Sequence, residues 1–318
     1  MVKLSQAPRR ILVAAGESID QEEDVVAAEP GFATGRTLIV AFEGWNDAGE
    51  AASRAAIVLR DATGAVPRAS IDAEEYFDYQ FTRPTVRRTE DGTTLSWPQA
   101  AFSGPAPLPG ARRRTQTEPE TGLYFLIGTE PSHRWRAFTE EVLALVQELQ
   151  IDEVVLLGAM LADVPHTRPI SLFCTSENPS LRARLDLSRS SYEGPVGVLS
   201  VLNQRFEEVG IPTLSIWASV PHYVQHSPSP KATLALVQKL ESLLGMPIPP
   251  GELPAESAAW EQNLDTLASE DEEMGGYISQ LEKARDTVDS PAASGDAIAE
   301  EFERYLRRHD DDDPRRAG

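Results

Sequence analysis

The sequence predicts an α/β layer fold, and three observations carry that prediction. Short apolar runs of strand character alternate with segments of helical periodicity through most of the first 245 residues. Two of the runs, Val154 to Leu161 and the stretch IPTLSIWASV, contain no charge, as strands buried on both faces of a sheet do. Both runs lead into a Pro-His pair, Pro165-His166 and Pro221-His222, in a chain with five histidines. Loops at the strand ends of an open α/β sheet are where ligands bind, so the two pairs point to one shared surface. The plainer reading stands beside it: proline ends a strand because it donates no ladder hydrogen bond, and a polar residue then follows in any surface loop.

In chain order, TLIVAF (Thr37 to Phe42) reads as a buried strand, and EGWNDAGEA turns through glycines into an Ala-rich helix from about Asp47 to Arg60. TVRRTEDGTTLSW has two alternating runs around Asp91-Gly92, a strong hairpin signal. The Pro-rich stretch Pro98 to Thr121, with its Arg triplet, reads as a long mobile surface loop. LYFLIG (Leu123 to Gly128) is a second buried strand. It leads through TEPSHRW, where Ser132 suits a cap, into a helix over about His133 to Gln150 with an apolar stripe from Phe138 to Leu149. The strand ending at Leu161 comes next, followed by the loop of Asp163, His166, Thr167 and Arg168, then ISLFCTS as a strand, then a helix within GPVGVLSVLNQRFEEVG. After IPTLSIWASV, a helix opens near Ser229 or Pro230 and stops at Gly245.

Composition shifts after MPIPPGELP, which divides the chain into a core of residues 1–250 and an extension of residues 251–318. The chain carries −21 in net charge. The extension has 19 acidic against 7 basic residues, a balance of −12 that leaves −9 for the core. Trp260, Leu264 and Leu267, then Tyr277, Ile278 and Leu281, then Ile298, Phe302, Tyr305 and Leu306 recur at helical spacing, which predicts two or three short amphipathic helices. Ser290 to Gly295 reads as a linker and HDDDDPRRAG as a disordered end.

The charge argues against nucleic acid or an anionic membrane as partner. No window reaches the ~20 apolar residues of a membrane span, and the first residues lack the pattern of a cleaved signal, so a cytoplasmic location is expected. Cys174 is the one cysteine and sits in an apolar strand, where it reads as a small hydrophobe. There is no GxxxxGK[ST], no strand-linked GxGxxG, no GxSxG, no HExxH and no C-x-x-C, so no cofactor, metal centre or catalytic nucleophile is specified. The candidate binding residues are those of the strand-end turns: Glu43, Gly44, Trp45, Asn46, Asp47, Glu130, His166, Arg168, His222 and Tyr223. Free N–H groups at a helix start can hold an anion there, though the plainer reading of Asp47 or Asn46, as an N-cap, is the stronger one. A cluster of Glu43, Glu130, His166 and His222 would support acid-base chemistry.

Five motifs taken in order, FEGWNDAGEAA, GTEPSHRW, GAMLADVPHTRP, SYEGPVGVLSVL and WASVPHYV with SPKATLALV, resemble the proteasome assembly chaperone 2 family in its actinobacterial branch. The resemblance spans roughly Leu38 to Gly245. It implies a three-layer α/β/α sandwich of the phosphorylase/hydrolase-like kind with a mixed central sheet, and a C-terminal helical extension. It also implies homo-oligomers and protein partners such as proteasome subunits, since eukaryotic and archaeal relatives act on the proteasome core without established chemistry. The family supplies no agreed catalytic residues; the matching positions are Gly44, Trp45, Asp47, Gly49, Glu130, Pro131, His166, Arg168, Gly194, His222 and Tyr223. The sequence ends in RRAG rather than the hydrophobic-Tyr-any terminus of some proteasome binders, so docking by that route is not expected. Two functions are therefore carried forward: a non-enzymatic, assembly-chaperone-like interaction protein, and a hydrolase or phosphorylase-like enzyme on a small anionic ligand.

Overall fold

A computed structural model describes residues 35–89, 92–106 and 122–288. The chain runs through β1 (Arg36–Glu43), α1 (Ala51–Thr63), β2 (Val66–Ile71), β3 (Thr85–Thr89), β4 (Gly92–Ser96), β5 (Ala100–Gly104) and β6 (Gly122–Thr129). It continues through α2 (Trp135–Glu148), β7 (Glu153–Ala162), β8 (Leu172–Thr175), α3 (Pro179–Leu185), α4 (Val198–Glu208) and β9 (Thr213–Pro221). Helices α5 (Pro230–Leu244), α6 (Leu253–Glu270) and α7 (Glu272–Val288) complete the described residues.

The main sheet has the order β2-β5-β6-β1-β7-β9-β8. Its four central strands β6, β1, β7 and β9 are parallel, and β5, β2 and β8 join antiparallel at the flanks, so the sheet is mixed. The central strands are apolar over most of their length because each face meets helices, with charge confined to their ends at Arg36, Glu43 and Glu153. In β1 the period of two divides the side chains: Leu38, Val40 and Phe42 join the cluster of Phe138 and Val142 from α2 and Leu202 and Phe206 from α4. Ile39 and Ala41 face the opposite cluster, with Ala52, Ala55 and Leu59 of α1 and Leu236 and Leu240 of α5. This is a three-layer α/β/α sandwich, with α6 adding Leu253 and Leu264 to the α1–α5 side.

Local chemistry explains the boundaries. Ser229 caps α5 through Ala232 N–H with Pro230 in its first turn, and Gly245 closes it at φ 61°. A short 3-10 turn, Ala48–Glu50, precedes α1, so the regular helix starts at Ala51 rather than near Asp47. The residue at the α2 cap position is Arg134, at φ 57°, while Ser132 Oγ accepts from Asp78 N–H instead. Part of the expected loop from Pro98 is the strand β5, buried against β6 and carrying Phe102 into the core; residues 107–121 lie outside the described residues. β2 and α3 are additions to the sequence reading. β3 and β4 pair from Thr85↔Ser96 to Thr89↔Gly92, as a hairpin around Asp91-Gly92 requires, with Glu90 and Asp91 themselves outside the described residues. The third apolar stripe of the extension, its linker and its acidic end also fall outside them.

Candidate functional site

Parallel pairing brings the strand-end turns to one edge of the sheet. β1 and β6 stay in register to Glu43↔Thr129, and β7 and β9 to Ala162↔Pro221. Between the two pairs the β1–β7 ladder stops at Val40↔Leu156, which opens a gap of the kind where α/β sheets bind ligands. Here the chain itself fills that gap. Gly44, at φ 116°, turns the backbone so that Asn46 and Asp47 drop between the strands. Ala159 N–H then donates to Asn46 O at 2.8 Å, and Asp47 bridges to Ala159.

The candidate residues separate into two groups. In the first, Asn46 is fully buried and its Nδ2 donates to Glu130 Oε1 at 2.7 Å. The same Glu130 oxygen accepts from Val198 N–H at 2.8 Å, placing a carboxylate at the positive start of α4. Gly197 makes this contact feasible, since a Cβ there would meet the Asn46 amide atoms at 2.3 Å. Asp47 Oδ1 accepts from Ala52 N–H at 2.7 Å and Ser53 N–H at 3.2 Å, so it caps α1 across the intervening turn. Burial pushes its carboxyl up to about 6, against the lowering effect of those hydrogen bonds and with a smaller push from the Glu43 charge. Asn46 Oδ1 and Asp47 Oδ2 are buried with no hydrogen-bond partner among the described residues. Glu43 stays near the surface, accepting from Thr129 Oγ1 at 3.3 Å, and Trp45 is 58% exposed.

The second group joins the two Pro-His loops. Tyr223 OH accepts from His166 N–H at 2.7 Å and lies 2.8 Å from His166 Nδ1. Asp265 Oδ1, which can only accept, lies 3.1 Å from Nε2, so the neutral ring carries its proton there and Nδ1 is left to accept from the Tyr223 hydroxyl. His222 Nδ1 sits 3.3 Å from Asp163, which also accepts from Tyr277 OH at 3.3 Å. Asp163, His166, Arg168, His222 and Tyr223 thus share one patch, as the sequence predicts from two strands running side by side.

The roof over this patch comes from the extension. Trp260 of α6 stands edge-on to His166 with ring centroids 6.2 Å apart, and Tyr277 of α7 stands edge-on to His222 at 5.6 Å. Arg168 holds Asp286 through two bonds of 2.7 and 2.8 Å and reaches Glu282 at 3.2 Å, while Thr167 donates to Glu282 at 2.5 Å. That guanidinium keeps the Asp286 carboxyl below its usual range. Lys231 donates to His166 O at 2.6 Å and pairs with Glu261 of α6. His166 is consequently 0% exposed. Burial also pushes the phenol of Tyr223 and the thiol of Cys174 up.

The cluster of Glu43, Glu130, His166 and His222 considered for acid-base chemistry is divided between these two groups. Residues missed by sequence reasoning are the covering ones: Asp265, Tyr277, Glu282 and Asp286, together with Gly197. Tyr277 was visible as part of an apolar stripe, but nothing local ties an exposed acid to a histidine about 100 positions away. Among the described residues, no group of three or more His, Cys, Asp or Glu is placed to hold a metal ion, and no helix is long and apolar enough to cross a membrane.

These features define an α/β/α sandwich whose ligand edge is closed by its own turns and helices. The chain belongs to the PAC2 family, whose model matches residues 41–268. Among solved structures it is similar to a PAC2 family protein of Streptomyces avermitilis at 40% identity and a TM-score of 0.66, covering 76% of this chain and 99% of that one. A proteasome-assembly chaperone homologue of Mycobacterium tuberculosis matches at 40% identity and a TM-score of 0.64 over the same shares. A Corynebacterium glutamicum protein of unknown function, 25% identical, aligns at 0.70 over 82% of this chain and 94% of its own. No match was found among curated proteins.

Proposed function

We propose that this chain is a non-enzymatic, assembly-chaperone-like protein of the cytoplasm that works as a homo-oligomer on protein partners, the proteasome core among them. The observation that carries this reading is the closure of the sheet edge. A general base must reach the proton it removes. His166 is sealed under Trp260, with both ring nitrogens engaged by Tyr223 and Asp265. Electrostatics oppose an anionic ligand at either group. The first presents the acceptors Asn46 Oδ1 and Asp47 Oδ2 beside Glu43 and Glu130, and in the second Arg168 and Lys231 are already neutralised by Glu282, Asp286 and Glu261. The family relationship supports the same reading, because one 40% identical neighbour is described as a proteasome-assembly chaperone homologue.

The test is capture of purified proteasome α and β subunits by the full chain, run beside a turnover screen on phosphoesters, nucleosides and peptides. The expected result is subunit capture without turnover. Turnover abolished by His166→Ala, with no subunit captured by the wild type, would replace this reading with the enzymatic one.

A further inference from the structure

The ribbon of β3 and β4 has no place in the site described above. It leaves the main sheet between β2 and β5, and every described residue of both strands is exposed. Its pairing sets Val86 opposite Leu95, with Arg88 two positions along the same face. Val86 is 58% and Leu95 55% exposed; at the ribbon's base Phe81 is 85% and Trp97 47% exposed. The other face carries Thr85, Arg87, Thr94 and Ser96. A two-stranded ribbon with neither face packed is marginal in water, so one-sided apolar residues on it point to a covering surface.

We propose that this ribbon is one half of a head-to-tail interface between copies of this chain, landing on the α6–α7 junction of a second copy; the proposal rests on the oligomeric part of the function above. Charge selects the occupant. Residues 81–97 hold three arginines against two carboxylates, an excess of cations in a chain of net charge −21. Two ribbons packed face to face would desolvate a pair of Arg88 cations on faces with no described carboxylate. The α6–α7 junction offers the complement. Leu267 is 53% exposed there, and Glu270, Asp271, Glu272 and Glu273 follow as a run of exposed acids. Glu270, Glu272 and Glu273 form no ion pair among the described residues. An apolar and cationic ribbon thus meets an apolar and anionic helix junction, two different surfaces of one chain, a head-to-tail contact that makes a ring where its rotation closes.

The experiment is mass measurement by light scattering on the full chain, from micromolar concentration down, with far-UV circular dichroism to confirm folding. The wild type is expected at a multiple of 34.8 kDa. Arg88→Glu, Glu272→Lys and Leu95→Ser each raise the dissociation constant at least tenfold, and the double variant Arg88→Glu/Glu272→Lys recovers most of the loss. Each substitution alters an exposed side chain, so the fold is retained. A multimeric wild type whose mass survives Arg88→Glu and Leu95→Ser overturns the ribbon interface while leaving oligomeric function intact. Loss in Arg88→Glu without loss in Glu272→Lys overturns the landing site. A wild type that stays at one chain's mass throughout removes both the interface and the oligomeric part of the proposed function, which subunit capture then tests alone.

Discussion

Replacing Asp47 by Asn isolates the energetic consequence of closing the sheet edge with a carboxyl group. Asp47 is 6% exposed, and its carboxyl moves from 3.8 in the unfolded chain to about 6 in the folded one. A raised carboxyl binds its proton more tightly when folded. Folding is therefore opposed increasingly as pH climbs through the window between those values, and the full penalty of about 3 kcal/mol applies above it. Linkage puts the share accruing between pH 5 and pH 8 at about 1.4 kcal/mol, a range that stays clear of the chain's pI of 4.6. Asn keeps an oxygen for Ala52 and Ser53 N–H but sets two N–H donors where Oδ2 lies buried without a partner, a cost of about 1–3 kcal/mol. At pH 8 the two effects nearly offset, so the absolute stability decides little. The slope decides. Urea unfolding followed by tryptophan fluorescence at pH 5, 6, 7 and 8 should show Asp47→Asn losing less stability with pH than the wild type, by about 1.4 kcal/mol over the range. Parallel stability-against-pH curves for the two proteins would refute the burial of an ionising carboxyl at this position.

Three further outcomes follow from the same contacts. Glu130→Ala leaves Asn46 Nδ2 and Val198 N–H without an acceptor and should cost about 2–4 kcal/mol in urea unfolding, whereas Glu130→Gln retains an oxygen and should cost less than half as much; equal losses would mean the Oε1 contacts do not hold α4. Gly128→Ala places a methyl 1.9 Å from Gln99 O, a backbone atom that cannot rotate away, and should destabilise by about 1–3 kcal/mol or more; a melting temperature unchanged within error would show that β5 does not lie there. A chain of residues 1–250 is expected to unfold cooperatively but at a lower midpoint, since it loses the Leu253 and Leu264 contacts and the ion pairs of Arg168 and Lys231; an insoluble or non-cooperative product would show that the extension is part of one folding unit.

Legibility of the fold followed local signal rather than burial alone: the fully exposed β3 and β4 were readable from the turn at Asp91-Gly92, whereas β5, which buries Phe102, was not. β1, β6, β7 and β9 were readable because a strand covered by helices on both faces has no room for charge. β2 and β5 were not, because flank strands need less apolar sequence: VPRASI contains Pro67 where the β2–β5 register shifts, and AAFSG sits in a stretch otherwise marked by proline. α3 was missed although Asn178 and Pro179 form its cap, since seven residues give too few turns to show a period.

The site divides along a similar line. Two apolar runs ending in Pro-His place their loops together if they are parallel neighbours, and the register from Val154↔Thr213 to Ala162↔Pro221 does so. What periodicity could not convey is the direction in which the extension folds back. Its acids read as a solvated face because charge on a helix normally is one. Yet Asp265, Glu282 and Asp286 meet His166, Thr167 and Arg168, and with Trp260 they cover the His166 loop, while the His222 side chain stays 31% exposed. A loop motif thus reports where a surface lies, while its chemistry is decided by whichever distant segment covers it. In this chain that segment is anionic, and it satisfies the cations that a small anionic ligand would otherwise need.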